Sequence, residues 1–470
     1  MQDTRDMLLR ATVVRPSPRQ LAWQALEFYA FAHFGMNTFT GREWGQGSED
    51  PAMFNPTAFD ADQWVQVAKD AGMSGLILTA KHHDGFCLWP SAYTDHSVRR
   101  SPWRGGQGDV VAEVARACRQ GGLRFGVYLS PWDRHEPTYG DSPRYNDFYK
   151  RQLRELLTGY GDLFTVWFDG ACGEGPNGRR QEYDWPGFYT LVRELQPDAA
   201  IFGGPDVRWV GNEAGRCRES EWSVIPAVIL RYERGPSDVD YMDEDLGSRE
   251  VISRFDELVW FPAEADTSIR PGWFYHAEQD DRVRSLEELL TIYFGAVGGN
   301  SNLLLNFPPD RRGLIHEADA ARARELGDVL RATFANNLAQ GAAVTASHTR
   351  RSDGDYRAEH VLDGRPDTFW MTEDWQESAA LELALPAATT FNVAMLQEHI
   401  LLSQRIERFR LTALVDGGWR TLAESTTVGY KRLLRFAPVT TDRVRVEILA
   451  SRVCPTLSNL GLFYNPDLPT

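Results

Sequence analysis

Five cysteines serve 470 residues, and Cys87, Cys118, Cys172, Cys217 and Cys454 lie scattered, with no CxxC pair among them. That excludes a disulfide scaffold and a cysteine-rich structural zinc site. No stretch approaches 18 apolar residues, so no transmembrane helix is expected. The first twenty residues lack the apolar core of a signal peptide. The expectation is a soluble protein of a reducing compartment: cytoplasmic as the chain is given, secreted if an export signal has been trimmed from it. Positive charge is scarce, with 50 Lys and Arg against 66 Asp and Glu, a formal charge of −16. Nucleic acid and anionic membrane surfaces are therefore poor partners. No GxGxxG follows the first apolar run, and there is no GxSxG elbow or P-loop, so dinucleotide, serine-esterase and NTPase chemistries have no motif to stand on. HExxH and HxH are also missing, so no catalytic metal is expected.

Aromatic residues are plentiful: 15 Trp, 16 Tyr and 24 Phe make up 12% of the chain. Such rings suit core packing, and they also suit stacking on the C–H faces of sugars. From about residue 28 to 335, short apolar runs alternate with amphipathic segments. Strands are expected at 28–34, 75–80, 124–130, 164–168, 200–202, 258–261 and 302–307. Helices are expected from the Asp60 cap to Gly72, from the Asp109 cap to Gln120, and near 145–157, 188–195, 285–294 and 316–336. Repeated alternation of this kind implies a parallel sheet, and its span suits a (β/α)8-like TIM barrel. Past about residue 340 helices give way to short alternating segments, as at 380–385, 409–415, 431–436 and 443–448. These predict an antiparallel β-sandwich. The expected domains are thus 1–338 and 339–470.

Catalytic groups of a parallel barrel sit at the C-terminal ends of its strands. His33 closes the first strand; Lys81, His82, His83 and Asp84 follow the second. Tyr128 lies near the end of the third, Trp167 and Asp169 end the fourth in VWFDG, and Glu213 falls in the loop after the fifth. Asp169 stands on rigid backbone, as a nucleophile requires, and the missing side chain of Gly170 is expected to leave room for a ligand. Glu213 could supply a second carboxyl, with Glu174, Glu219 and Glu221 as competitors. Paired carboxyls at such a site are the apparatus of glycoside hydrolysis. His82 and His83 are adjacent on an extended segment, so they should point in opposite directions and not chelate one ion. Trp44, Trp89, Trp209 and Trp222 are expected in loops around the mouth.

The segments FAHFGMNTFTGREWG at 31–45, AKHHDGFCLWPS at 80–91, GVYLSPWD at 126–133, VWFDG at 166–170 and GGNSNLLLNFPPD at 298–310 resemble the α-L-fucosidases of glycoside hydrolase family 29. The resemblance implies that Asp169 is the nucleophile and that His33, His82 and His83 bind fucose hydroxyls. It further implies that Tyr128, Trp167 and Trp273 line the pocket, with Glu43 of REW as a further hydroxyl ligand. RWVGNEAG at 208–215 is similar to the branch specific for α-1,3/1,4 linkages, whose acid/base would be Glu213 here. The implied reaction is the retaining release of fucose from Lewis a/x-type glycans through a covalent fucosyl-enzyme. A broad-specificity fucosidase and a catalytically inactive fucose-binding lectin are the alternatives.

The segment AEHVLDGRPDTFWMTEDW at 358–375 resembles the discoidin, or factor 5/8 C-type, fold. Relatives of that domain often bind sugars; the alternative for this chain is a domain that only buttresses the barrel. Many hold a structural calcium, for which Asp363, Asp367 and Thr368 would be the ligands here. Asn459 stands where such relatives place a Glu, and no cofactor is expected.

Overall fold

The computed structural model describes residues 2–234 and 245–468. Eight parallel strands carry the first domain: β1 Phe28–Ala32, β2 Gly75–Lys81, β3 Arg124–Leu129, β4 Thr165–Trp167, β5 Ala200–Phe202, β6 Arg208–Trp209, β7 Ala263–Ser268 and β8 Ser301–Asn306. Their order in the sheet is β5-β4-β3-β2-β1-β8-β7-β6, and a parallel bridge between Phe202 and Val207 joins the two edges. The expected barrel is therefore present.

Its strands obey a two-residue period. Phe28, Ala30, Leu76, Leu78, Val127, Val166, Ile201, Ala265 and Leu303 face outward and join one large core with the helices. Tyr29, Phe31, Ile77, Tyr128, Trp167, Ala200, Phe202 and Leu304 face inward and fill the barrel. The helices begin where side chains can satisfy free N–H groups. Asp60 accepts from the amides of Asp62 and Gln63 ahead of Ala61–Asp70. Asp109 does so for Val110–Gly121, which Gly122 ends in the left-handed conformation. Ser285 and Glu288 form a reciprocal capping box.

Two expectations need correction. The strand foreseen near Leu258 exists as Leu258–Trp260, but it pairs antiparallel with Val224–Pro226 beside the barrel. The true seventh strand, AEADTS, places Glu264, Asp266 and Ser268 on its inward face and so lacks an apolar signature. No helix separates β5 from β6, because the chain turns tightly through 203–207. Glu213 consequently follows the sixth strand, not the fifth.

The C-terminal part is built on an antiparallel sheet. Its strands are β9 Ala343–Ala346, β10 Ala379–Gln397, β11 Ile406–Val415, β12 Gly418–Ser425, β13 Arg432–Ser451 and β14 Asn459–Phe463. The order is β9-β10-β13-β11-β12, with β14 also on β10. Trp370–Met371 pairs with Thr456–Leu457 in a second, two-stranded sheet. Alternating residues of the long strands, such as Leu381, Leu383, Val444 and Val446, form the core of this domain. Among the described residues, no helix is long and apolar enough to cross a membrane.

Candidate active site

The inward column of each strand ends in polar or aromatic groups at the C-terminal mouth, and these converge. Trp167 lies flat on Phe202 with centroids 4.0 Å apart, and Tyr128 leans on it at 5.3 Å. His82 stacks over Tyr128 at 5.8 Å, His33 stands 5.8 Å from His82, and Trp273 lies 5.0 Å from His33. His83 touches His82 at 4.0 Å and is flanked by Trp44 and Trp132. The pocket thus has an aromatic floor and a wall of three histidines.

Asp169 sits two residues beyond β4. Its Oδ2 accepts a hydrogen bond from the Tyr128 hydroxyl at 2.9 Å, and its Oδ1 accepts from the Ala171 amide at 2.8 Å. Its side chain stays 27% exposed, and His83 Nε2 lies 3.9 Å away. The carboxylate is aimed at the pocket with each oxygen positioned by one donor. Glu213 is exposed on the loop after β6, where the Trp273 indole N–H donates to its Oε2 at 3.2 Å. The backbone amide of Gly215 binds the Asp266 carbonyl and ties that loop to β7.

Two of the three histidines are fixed in definite tautomers. Asn306 donates through Nδ2 to the Trp273 carbonyl and the Ser268 hydroxyl, so its Oδ1 must face His33 and accept from Nδ1 at 2.9 Å. His33 Nε2 is left as an acceptor. Ser130 donates to the Trp132 carbonyl, so its oxygen accepts from His83 Nδ1 at 2.7 Å. Burial pushes His33 down to about 3, with the nearby His83 adding to the effect. Burial likewise holds His82 well below, and His83 below, the ordinary imidazole value. All three rings are neutral at neutral pH, the state in which an imidazole both donates and accepts a hydrogen bond.

Sequence reasoning missed a supporting layer one step down. Glu264 is buried in the barrel and accepts from the Trp167 indole at 2.7 Å and from the Tyr29 hydroxyl. Burial raises it to about 7. Asp266 accepts from the Trp209 indole at 2.7 Å; burial, Glu264 and Glu213 together raise it well above the carboxylate range. Inward alternation in AEADTS is the only sequence signal that could have exposed them. Phe274, packed edge-on to His33 and His82, was also missed.

All nine expected site residues border this pocket or its rim, and the structure adds to or alters several readings. Glu43 also holds the loop of Trp273: it accepts from the amides of Trp273 and Phe274 and pairs with His276 at 2.7 Å, while its side chain stays 40% exposed. A side chain on Gly272 would come within 2.4 Å of Glu43, so the glycine permits that approach. His82 and His83 do not point apart, because β2 ends at Lys81 and the chain turns there. A Cβ on Gly170 would meet no protein atom within 4 Å, so the space beside Asp169 is open. Trp44 is at the mouth, whereas Trp89 is buried on Glu155 and Trp222 is buried under the Arg452 guanidinium. Of the competing acids, Glu221 is buried and paired with Arg208.

At the C-terminal calcium candidates Asp367 is paired with Arg365, and Asp363 accepts from the Thr368 hydroxyl and the Arg365 amide. Asn459 donates to Gln397. Among the described residues no group of three His, Cys, Asp or Glu side chains could hold a metal ion.

Carboxyl groups over an aromatic floor, at the C-terminal mouth of a parallel barrel, define a glycoside hydrolase. Comparison with known proteins makes this specific. The alpha-L-fucosidase family matches residues 19–333 and the F5/8 type C domain matches residues 343–457, and the chain belongs to the α-L-fucosidase family. It is 44% identical over 454 residues to alpha-L-fucosidase 1 of Arabidopsis thaliana, covering 95% of this chain and 87% of that protein. A crystal structure of a glycoside hydrolase 29 family member from an unknown rumen bacterium is 39% identical, with a TM-score of 0.82 over 97% of this chain and 78% of that one. A Ruminococcus gnavus GH29 fucosidase in complex with fucose is 33% identical, with a TM-score of 0.86 over 97% and 95% of the two chains. The protein is a hydrolase of α-L-fucosides.

Proposed function

We propose that this fucosidase is a retaining exo-enzyme specific for α-1,3/1,4-linked fucose on Lewis a/x-type branched glycans, with Asp169 as nucleophile and Glu213 as acid/base. The observation that carries the reading is the unequal setting of the two carboxyls. Asp169 is fixed at a strand end by Tyr128 and Ala171. Glu213 is held from the opposite loop by a single indole N–H. His33, His82 and His83 bind the fucose hydroxyls, and Trp167 and Trp273 cover its apolar face.

In the first step Asp169 attacks the anomeric carbon while Glu213 gives its proton to the departing glycosidic oxygen. The C–O bond breaks and a fucosyl ester of Asp169 forms. In the second step Glu213 takes a proton from water, the resulting hydroxide attacks the same carbon, and Asp169 leaves as a carboxylate. Trp44 and Trp132 at the mouth offer apolar faces to the sugars next to the fucose.

The test compares Lewis a trisaccharide, 2′-fucosyllactose and an aryl fucoside. Release from Lewis a alone is expected. Release from all three would make the enzyme broad, and binding without release would make it a lectin. Asp169→Ala should abolish turnover. Glu213→Ala should lose roughly 10²–10⁴-fold and recover in part with azide. Near-normal activity of either variant on the trisaccharide refutes the assignment.

A further inference from the structure

The loop that carries Glu213 leaves β6 at Val210 and returns at Trp222. Its far end does not rest on the barrel alone. The Glu221 carbonyl accepts three donors: Nδ2 of Asn300, Nε2 of Gln404 at 3.0 Å and the hydroxyl of Thr427 at 3.2 Å. The Glu219 carbonyl accepts two more, the hydroxyl of Thr426 at 2.7 Å and Nη2 of Arg432 at 3.1 Å. Every donor except Asn300 belongs to the C-terminal domain.

The donors are themselves held in place. Arg432 is buried and bonds the carbonyl and hydroxyl of Thr427, which sets its fork toward Glu219. Gln404 also accepts from the Ser223 amide at 2.8 Å. Where the clamp meets the barrel, Leu433 and Lys431 exchange backbone hydrogen bonds with Gly298 and Asn300, just ahead of β8. Inside the loop, Glu221 pairs with Arg208 of β6 and accepts from the Arg218 amide. Two carbonyls of this loop, those of Glu219 and Glu221, are thereby held from the second domain, while among the described residues Glu213 has only the Trp273 indole as a hydrogen-bond donor.

We infer that the C-terminal domain is a positioning element of catalysis: Arg432, Thr426, Thr427 and Gln404 set the proton-donating loop. The inference rests on Glu213 being the acid/base. A small change at the loop's base moves the carboxyl relative to the glycosidic oxygen, and proton transfer is sensitive to displacements of this size. The nucleophile lies just beyond β4 and is not touched by the clamp. Loosening the clamp should therefore impair substrates whose leaving group needs a proton and spare those that do not.

The experiment measures kcat/KM on Lewis a trisaccharide and on α-L-fucosyl fluoride, whose leaving group departs with little acid assistance. The variants are Thr426→Val/Thr427→Val, Arg432→Lys and Glu213→Ala, each checked for an intact thermal transition. Glu213→Ala calibrates the measurement, losing the trisaccharide and keeping the fluoride. The double valine variant should lose roughly tenfold on the trisaccharide, the order expected for a pair of hydrogen bonds, and stay within about twofold on the fluoride. Arg432→Lys keeps the charge but not the fork, and should shift the ratio in the same direction. Arg249→Gln is the control, because Arg249 binds Glu377, Glu407 and the Ser451 carbonyl of the C-terminal domain without touching Thr426, Thr427, Arg432 or Gln404; it should leave the ratio as in the wild type. A wild-type ratio in the valine and lysine variants overturns the inference, and so does an equal shift in Arg249→Gln. If Glu213→Ala loses both substrates alike, it is the acid/base reading that fails instead.

Discussion

Each pocket residue is held by a second residue that the sequence hides. Tyr128 shows the direct case. Its hydroxyl donates to Asp169, and burial together with the Asp169 charge pushes its own titration well above the phenol range, so it remains a donor at any working pH. Tyr128→Phe removes one of two donors on the carboxylate; a hydrogen bond to a charged group is worth about 1.5–3 kcal/mol. The expected outcome is a kcat/KM on the trisaccharide lowered roughly 10- to 100-fold with the fold intact, read by steady-state kinetics and circular dichroism. Glu264 shows the indirect case. Burial moves it from 4.5 to about 7. Between those pH values the folded protein holds a proton that the unfolded chain has released, so stability falls as pH rises through the window. Glutamine mimics the protonated form. Glu264→Gln should match the wild type near pH 4.5 and be the more stable protein above pH 7, in urea melts taken across that range. A residual slope is expected because burial also raises Asp84 and Glu398 to about 7. Equal slopes in the two proteins would mean that Glu264 is not protonated as the barrel's interior requires.

The elements divide by how strongly one force dominates each of them. β2 reads GLILTAK and is buried throughout, so its apolar run announced it. The Asp60 and Asp109 caps announced their helices for the same reason: one side chain answers one local need. β7 was illegible because its inward face serves the site and carries Glu264, Asp266 and Ser268, each satisfied by a partner far away in sequence. Periodicity could place Asp169 and the histidines at strand ends. It could not show that Glu43 holds the Trp273 loop, a contact across 230 residues. The Arg208–Glu221 pair that closes the loop after β6 is likewise long-range in effect and almost fully buried, with side-chain exposures of 2% and 1%. Removing Arg208 leaves the buried Glu221 with only the longer pair to Arg218 at 3.6 Å, and breaking a buried pair costs up to about 3–5 kcal/mol. Arg208→Met should lower the denaturation midpoint accordingly. Arg208→Met/Glu221→Leu should recover part of the loss, since replacing both charges by apolar groups removes the poorly paired carboxylate.

At the scale of the whole molecule, the two halves are joined more closely than their separate family matches suggest. Val393, Leu433, Phe463 and Leu468 of the C-terminal part are buried in the same cluster as the barrel's outer core. Phe463 meets Phe334 edge-on with centroids 5.1 Å apart, at the end of the helix Glu317–Phe334. Arg452 lies over the Trp222 ring at 3.7 Å and donates to the Gly247 carbonyl. An interface made of shared core cannot be exposed without removing support from both sides. The aromatic surplus in the composition is partly spent here: rings such as Trp222 that seemed destined for the sugar serve the junction. The expected consequence is a single unfolding transition. Calorimetry should give a van't Hoff enthalpy equal to the calorimetric one for the whole chain, the criterion for one cooperative unit. Phe463→Ala opens a cavity at the junction and should lower stability by about 3–5 kcal/mol while keeping one transition. Two separated peaks, with the lower one alone shifted by Phe463→Ala, would instead show domains that fold independently.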